Sequence, residues 1–333
     1  MKILAGDIGG TKTILQVSQY VEGKLSVIVE QRFDSGLFPT FDELLSQFLA
    51  DNQVNVQELD SACVGVAGPV ENQQARVTNL PWHLDSDLLA TKFSLPRVEL
   101  INDFQAVGYG IEQLGDADLV TLQAGQAVHQ GVRAVIGAGT GVGHAVMAWC
   151  SGAYQVLSSE AGHSSFAPVN DLQQELLVYL TRQYDAVSVE RTLSGPGIEN
   201  IFRFFCAREP DQLTPQLQQA TGQQEITPVV VEFALAKKDP LAIKTLDMFI
   251  EIYGAAAGNL ALFAMATGGV YIAGGIAPRI IDSLSQGSFI NAFNHKSKMQ
   301  HLLSSIPVKV ITNPKVGLLG AAVSAARYGL TGN

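Results

Sequence analysis

The sequence predicts an α/β protein built from two related units, and three observations carry that reading. Short apolar runs alternate with amphipathic stretches. Two glycine-and-threonine loops recur far apart, Asp7-Ile8-Gly9-Gly10-Thr11-Lys12-Thr13 and Gly137-Ala138-Gly139-Thr140-Gly141-Val142-Gly143. At 333 residues the chain exceeds one ordinary domain, so two cores are expected.

Each loop follows an apolar run, Ile3-Leu4-Ala5 or Val132 to Ile136, and leads into another, Ile14 to Val17 or Ala145 to Met147. This is the pattern of a β-hairpin whose turn lacks bulky side chains, so backbone N–H groups and threonine hydroxyls face an anion. One glycine turn says little, because such turns join strands everywhere. Two in equivalent positions suggest a duplicated fold that grips one polyphosphate from both sides, and hence nucleotide-dependent phosphoryl transfer.

In order, strands are expected at Ile3–Ala5, Ile14–Ser18, Leu25–Arg32, Ser61–Ala67, Arg76–Thr78 and Val98–Ile101. A helix over Thr40–Asp51 places Phe41, Leu44, Leu45, Phe48 and Leu49 on one face. Gly65 to Val70 reads as a strand end or hinge. Asn102-Asp103 precedes a helical segment, Phe104 to Leu114. A second unit begins near Leu119 and repeats the opening. After Asn170 an amphipathic helix carries Leu172, Leu176, Leu177, Leu180 and Tyr184. Arg208 to Pro228, rich in Gln, Pro and Thr, reads as a surface excursion without chemistry. Asp239-Pro240 marks a helix start that runs to about Ala266, before a strand Val270–Ala273 and Gly274-Gly275. A Gly- and Ala-rich helix closes the chain from about Gly317 to Tyr328.

With 47% hydrophobic and 16% charged residues, the composition is that of a soluble globular protein. A net charge of −10 argues against nucleic-acid binding, which relies on Lys and Arg, but not against ATP. Cys63, Cys150 and Cys206 are scattered and form no Cys-x-x-Cys pair, so neither zinc nor a disulfide framework is expected. Met1-Lys2 leads straight into the first strand, leaving no room for a signal peptide. Gly254–Gly275 is better explained as a buried helix and strand than as a membrane span. The expected location is the cytoplasm, without a membrane.

Asp7 stands at the end of the first strand. A carboxylate beside phosphate-binding amides needs a divalent cation between itself and the nucleotide, so Asp7 is the candidate to position Mg²⁺, directly or through water. The competing reading is an aspartate that merely favours a turn. Lys12 either neutralises phosphate or points to solvent. Asp103 is a helix N-cap on one reading. On the other it is the carboxylate that accepts a hydroxyl proton during phosphoryl transfer to an alcohol, at the strand end where α/β sheets place ligands. Glu160 and His163, three apart in a Gly- and Ser-flanked loop, suit hydroxyl recognition; the alternative is a turn histidine satisfied by backbone. Glu190 belongs to a further polar cluster, where a surface Glu190–Arg191 pair is the plain reading.

These segments, together with Gly65–Val70 and Gly274–Arg279, occur in the order seen in bacterial glucokinases, members of the sugar kinase, Hsp70 and actin ATPase superfamily. The resemblance spans essentially the whole chain. It implies two ribonuclease H-like domains, with mixed five-stranded sheets flanked by helices and an interdomain active-site cleft. The small domain would comprise residues 1–113 and 315–333, the large one 114–314. It also implies ATP and Mg²⁺ as cofactor and metal, D-glucose as acceptor, and a homodimer. Carried over by position, Asp103 is the general base toward the sugar 6-hydroxyl. Asn79, Asn102, Thr140, Glu160, His163 and Glu190 join it in binding substrate. Gly6, Asp7, Ile8, Gly9, Gly10, Thr11, Lys12, Gly137, Gly139, Thr140 and Gly141 hold the phosphates, and Gly274 and Gly275 lie against adenosine. Glu160 to Pro168 is similar to the group lacking zinc, since the downstream cysteine cluster of repressor-type relatives is absent. Lys12 is closer to the form common in those relatives.

Two further readings compete. A sugar-responsive regulator of the same fold would carry a preceding DNA-binding domain, whereas here the first loop begins at Asp7. A chaperone- or actin-like ATPase would not need the polyol-directed groups Asn102, Asp103, Glu160 and His163. Mannose, fructose or N-acetylglucosamine in place of glucose is the alternative within the kinase reading.

Overall fold

The computed structural model describes residues 1–330. The chain divides into two compact units. One comprises Met1–Asp118, Tyr154–Ser158 and the chain from Asn313 onward; the other comprises Leu119–Ala153 and Ser159–Thr312.

The first unit opens with β1 (Lys2–Ile8), β2 (Lys12–Val21) and β3 (Lys24–Asp34), then α1 (Phe41–Asp51), β4 (Ser61–Val66), β5 (Val70–Glu71), β6 (Gln74–Arg76) and β7 (His83–Asp85). It continues through α2 (Ser86–Phe93), β8 (Val98–Asn102) and α3 (Asp103–Gly110). Its main sheet runs β3-β2-β1-β4-β8, with β1 antiparallel to β2 and parallel to β4. Thr40 is the N-cap of α1, its side chain accepting from Glu43 N, so the helix starts one residue later than expected. The buried face of α1 is Phe41, Leu44, Leu45 and Phe48. These join Leu4, Leu15, Val64, Trp82 and Leu100 in one core. The expected strand at Arg76–Thr78 lies earlier, at Gln74–Arg76. Val77 turns out to bond Trp82 O, and a small sheet β5-β6-β7 forms there.

The chain continues with β9 (Leu119–Gln123), β10 (Arg133–Ala138), β11 (Val142–Cys150) and β12 (Ala153–Ser159, of which Tyr154–Ser158 counts with the first unit), then α4 (Asp171–Leu180) and α5 (Gly195–Arg208). There follow α6 (Pro215–Thr221), α7 (Ile226–Leu235), α8 (Pro240–Ala264), β13 (Gly269–Ala273), α9 (Ile281–Leu284), α10 (Ser288–Asn294), α11 (Gln300–Ser305) and β14 (Val308–Ile311). The second sheet runs β12-β11-β10-β13-β14-β9. The run β11-β10-β13-β14 repeats the antiparallel, parallel and parallel pairings of β2-β1-β4-β8, and β9 adds a sixth strand, antiparallel to β14. The duplication inferred from the loops is therefore a duplication of strand order.

Arg208–Pro228 is not an unstructured excursion. Thr214 caps α6 with Pro215 at the helix start, and Leu217 is fully buried. Glutamine-rich flanks hide this single apolar anchor from a composition reading. Ser194-Gly195-Pro196 likewise opens α5, with Ser194 accepting from Gly197 N. Tyr184 lies beyond α4, which ends at Leu180. Helix α8 is long and apolar enough to cross a membrane by composition alone, but 67% of its most apolar window is buried in the second core. The C-terminal helix, Val316–Leu330, belongs to the first unit. Ser61 Oγ in β4 donates to its Ala325 O at 2.7 Å, and its small residues let it pack closely, Gly320 against Ala106 of α3.

Candidate active site

In the first unit the β1–β2 hairpin delivers the first glycine turn. Ile8 pairs with Thr13, and the turn closes with Gly9 N–H donating to Lys12 O at 2.9 Å. Ser35, fully buried, holds the turn from behind. Its hydroxyl donates to Gly9 O and lies 3.0 Å from Thr13 Oγ1, and its N–H donates to Thr11 O at 3.1 Å. Thr11 and Lys12 are exposed, and Gly6 and Ile8 are buried in β1. A hollow of about 680 Å³ beside the turn is lined by Gly10, Thr11, Arg32, Phe33, Asp34 and Gly36. The exposed Asn79, at φ 65°, lies against the turn, its Cβ 3.5 Å from the Cβ position of Gly10.

Asp7 is half-buried at the end of β1, opposite Ile14 and Gly65. Its carboxyl lies 3.7 Å from the Cβ position of Gly317, in the first turn of the C-terminal helix. Burial pushes its pKa above the usual carboxylate range, and the Lys12 ammonium partly offsets this. The positive end of that helix favours an anion there.

The N-cap reading of Asp103 is corrected. Asn102 is the cap of α3, its Oδ1 accepting from Phe104 N at 2.9 Å and Gln105 N at 3.3 Å. Its amide also donates to Gly68 O at 3.1 Å. Asp103 is the first helical residue, half-buried, with Oδ1 accepting from Phe104 N at 2.9 Å.

In the second unit the β10–β11 hairpin presents the other turn in the matching register, Gly137 opposite Gly143 and Ala273. Gly139 N–H donates to Gly141 O at 2.9 Å, Gly139 O accepts from Gly195 N at 2.8 Å, and Thr140 is exposed. Glu190 is not paired with Arg191, whose guanidinium stacks on Tyr184 at 4.2 Å. Instead Glu190 Oε2 accepts from Val142 N at 3.0 Å, on the rim of the turn. A β-carbon at Gly141 would come within 2.5 Å of that oxygen, so any larger residue there would push the Glu190 carboxylate off its Val142 N bond.

The segment that bears Glu160 and His163 is zipped to the Glu190 segment. Val189 N donates to Ser164 O at 2.8 Å, Phe166 N donates to Val187 O at 2.9 Å, and Ser165 bridges Ser188. Both side chains are exposed, with His163 Nε2 4.0 Å from Glu160 Oε2. Gly274, at φ 83°, follows β13 and packs on the Ala138 backbone, with Gly275 open beside it. Glu160, His163, Glu190, the second turn and Gly274 thus share one loop cluster of this unit. Asp7, the first turn, Asn79, Asn102 and Asp103 lie at corresponding strand ends of the first. Among the described residues, no three or more His, Cys, Asp or Glu side chains gather to hold a metal. Asp7 alone fits the weaker demand of Mg²⁺, which takes one or two carboxylates and completes its shell with phosphate and water.

The sequence profile of the glucokinase family matches residues 4–328. The glucokinase of Trichormus variabilis (strain ATCC 29413 / PCC 7937) is 44% identical, covering 98% of this chain and 99% of the relative. The chain belongs to the glucokinase family. The Synechocystis glucokinase is 41% identical over 98% of each chain. The crystal structure of glucokinase from an Antarctic psychrotroph has a TM-score of 0.86 at 31% identity, over 98% of this chain and 99% of that one. This establishes a two-domain sugar-kinase fold and a hexose kinase.

Two positioning residues of this glucokinase-family chain escaped sequence reading. One is Ser35 behind the first turn. The other is Tyr253 of α8, fully buried beneath the second turn. Its hydroxyl accepts from Ala138 N at 3.2 Å and approaches Ala273 O at 3.2 Å, tying together the ends of β10 and β13. Ser35 carries no motif. Tyr253 lies in a run read only as apolar helix, where nothing local announces its hydroxyl.

Proposed function

We propose that this chain is an ATP-dependent glucokinase that transfers the γ-phosphoryl group of ATP to the 6-hydroxyl of D-glucose. The observation behind this reading is the bond from Glu190 to Val142 N. One carboxylate serves the rim of a phosphate-binding turn and belongs to the segment zipped to Glu160 and His163, so anion- and hydroxyl-recognising groups share a scaffold.

In this reading Gly9, Gly10, Thr11, Gly139, Thr140 and Gly141 offer N–H and hydroxyl donors to phosphates, with Lys12 adding charge. Gly274 and Gly275 leave room for adenosine. Asn79, Asn102, Glu160, His163 and Glu190 hold the sugar hydroxyls, and Asp103 accepts the 6-hydroxyl proton as attack develops. Asp7 holds Mg²⁺, directly or through water; when bound, the ion neutralises charge on the phosphates. Helix capping by Asn102 fixes the backbone that presents Asp103, so the two adjacent polar residues divide support and chemistry. The proposed division is residues 1–113 with 315–333, and 114–314. The enzyme is proposed to work in the cytoplasm as a homodimer, without membrane or nucleic acid.

A coupled assay against glucose, mannose, fructose and N-acetylglucosamine, with ATP and polyphosphate as donors, tests the reading. Glucose with ATP is expected to give the highest kcat/KM. A larger value for another hexose would reassign the substrate, and sugar-independent ATP hydrolysis alone would remove the kinase reading. Sedimentation of the purified protein checks the dimer.

A further inference from the structure

The second turn is held at both ends by one segment of its own unit. At the far end Glu190 Oε2 accepts from Val142 N at 3.0 Å; at the near end Gly195 N donates to Gly139 O at 2.8 Å. The segment between these ties is stiff. Ser194 is fully buried, its hydroxyl donating to Glu190 O at 2.7 Å and accepting from Gly197 N at 3.0 Å. Gly197 packs so closely that a β-carbon there would come within 2.6 Å of the Thr192 backbone.

Gly195 is the weak link of this clamp. It has no side chain to pack, and Pro196 disfavours a helical conformation in the residue before it, yet Gly195 is the first residue of α5. A bond from another helix secures it. Thr227 Oγ1 donates to Gly195 O at 2.7 Å, and Thr227 Cγ2 lies 3.9 Å from the Gly195 Cβ position. With its N–H on Gly139 and its carbonyl on Thr227, Gly195 has the peptide groups on both sides of its Cα fixed.

Thr227 can make this bond because of where it sits. It is the second residue of α7, with no preceding turn of that helix whose carbonyls could take its hydroxyl. Val229, Val230 and Ala234 are buried in the second core, so apolar packing anchors α7 itself. Thr227 also falls within Arg208–Pro228, the stretch whose composition promised no chemistry.

Gly137, Gly139, Gly141 and Gly143 give the turn and its flanks conformational freedom, and an anion that binds its N–H groups must order it. Ties that fix the turn beforehand strengthen binding without touching the ligand. We propose that Thr227 is a positioning residue for the second turn: it holds Gly195, which holds Gly139, so that the donors of the turn stand ready for a nucleotide phosphate. The tie stands by itself; that the anion is the phosphate chain of ATP rests on the glucokinase reading.

Thr227→Val keeps the shape and removes the hydroxyl. Calorimetric titration of the full-length protein with the magnesium complex of AMPPNP, a non-hydrolysable ATP analogue, is expected to show about fivefold weaker affinity in this variant. KM for ATP should rise in step while KM for glucose is unchanged, and Thr227→Ser should restore the nucleotide values. Val230→Ala, which opens a cavity on the apolar face of the same helix, is the control. It should lower the melting temperature and leave AMPPNP affinity unchanged. Wild-type affinity in Thr227→Val, an equal loss toward glucose, or an equal loss in Val230→Ala would overturn the proposal. Thr227-dependent AMPPNP binding by a protein that phosphorylates no hexose would leave the positioning role standing and remove the kinase reading.

Discussion

Asn102 and Asp103 are neighbours in sequence with different tasks. The amide caps α3 and reaches Gly68 O; the carboxylate is set at the first helical position. Asp103→Asn preserves shape and a hydrogen-bonding oxygen while removing the proton acceptor. We expect kcat to fall about 10²–10⁴-fold with glucose affinity near normal, measured by stopped assay and calorimetry. Near-normal turnover would remove Asp103 from the chemistry. Asp7 makes the opposite trade. Its folded-state pKa lies above the unfolded value of about 3.9, so the native state at neutral pH carries an ionised group it disfavours. That penalty is relieved as pH falls through the folded pKa toward the unfolded one. Asp7→Asn is therefore expected to raise the melting temperature at pH 7 while suppressing turnover. A lower melting temperature would show that the carboxylate stabilises the fold instead. Asp7, Glu160 and Glu190 were visible as candidates because each stands beside glycine or another polar residue at a strand end or loop. The partner of Glu190 was not visible, because Val142 N is 48 residues away in sequence.

Among the elements, the helix starts were the most legible, since caps are local chemistry. Asp239-Pro240 was recognised from two residues, and Asp239 is indeed the N-cap of α8, accepting from Ala242 N at 2.9 Å. What no local signal revealed is that its other oxygen accepts from Thr214 N at 2.9 Å and Thr214 Oγ1 at 2.8 Å, tying α8 to the start of α6. With Asp239 only 1% exposed, Asp239→Ala strands three donors. It should cost about 2–4 kcal/mol in urea unfolding, more than a simple cap. A loss below about 1 kcal/mol would mean that water replaces those bonds. Helices α5 and α6 were missed for the converse reason. Their starts, Ser194-Gly195-Pro196 and Thr214-Pro215, are also turn sequences, and only the burial of Phe202, Phe205 and Leu217 decides between the two outcomes.

For the molecule as a whole, the acid limit is expected to reflect His144 as well as carboxylates. Its native pKa of about 4 lies below the unfolded value of about 6.5, so the unfolded state binds the extra proton between those limits. Stability should fall as pH drops through that window, by about 3 kcal/mol from this group. Urea midpoints from pH 7 to 4 measure it, and His144→Phe should flatten the decline. An unchanged slope in that variant would assign the loss to other groups. The net charge of −10 acts at the same scale, opposing polyanionic nucleic acid while leaving local donor sites for a nucleotide intact.

Legible in the amino-acid order alone were the repeated hairpin-and-glycine pattern, the order of most strands, several helix caps and the residue types available for phosphate and hydroxyl recognition. These follow from backbone freedom, side-chain alternation and local hydrogen bonding, all of which act over a few residues. Packing between distant segments settled that Glu190 grips the second turn, that Ser35 and Tyr253 support the two turns, that Asn102 rather than Asp103 caps α3, and that His144 and Gln173 are buried. Those outcomes depend on hydrogen bonds and burial between segments distant in sequence, where a polar group's partner is set by packing and not by its neighbours.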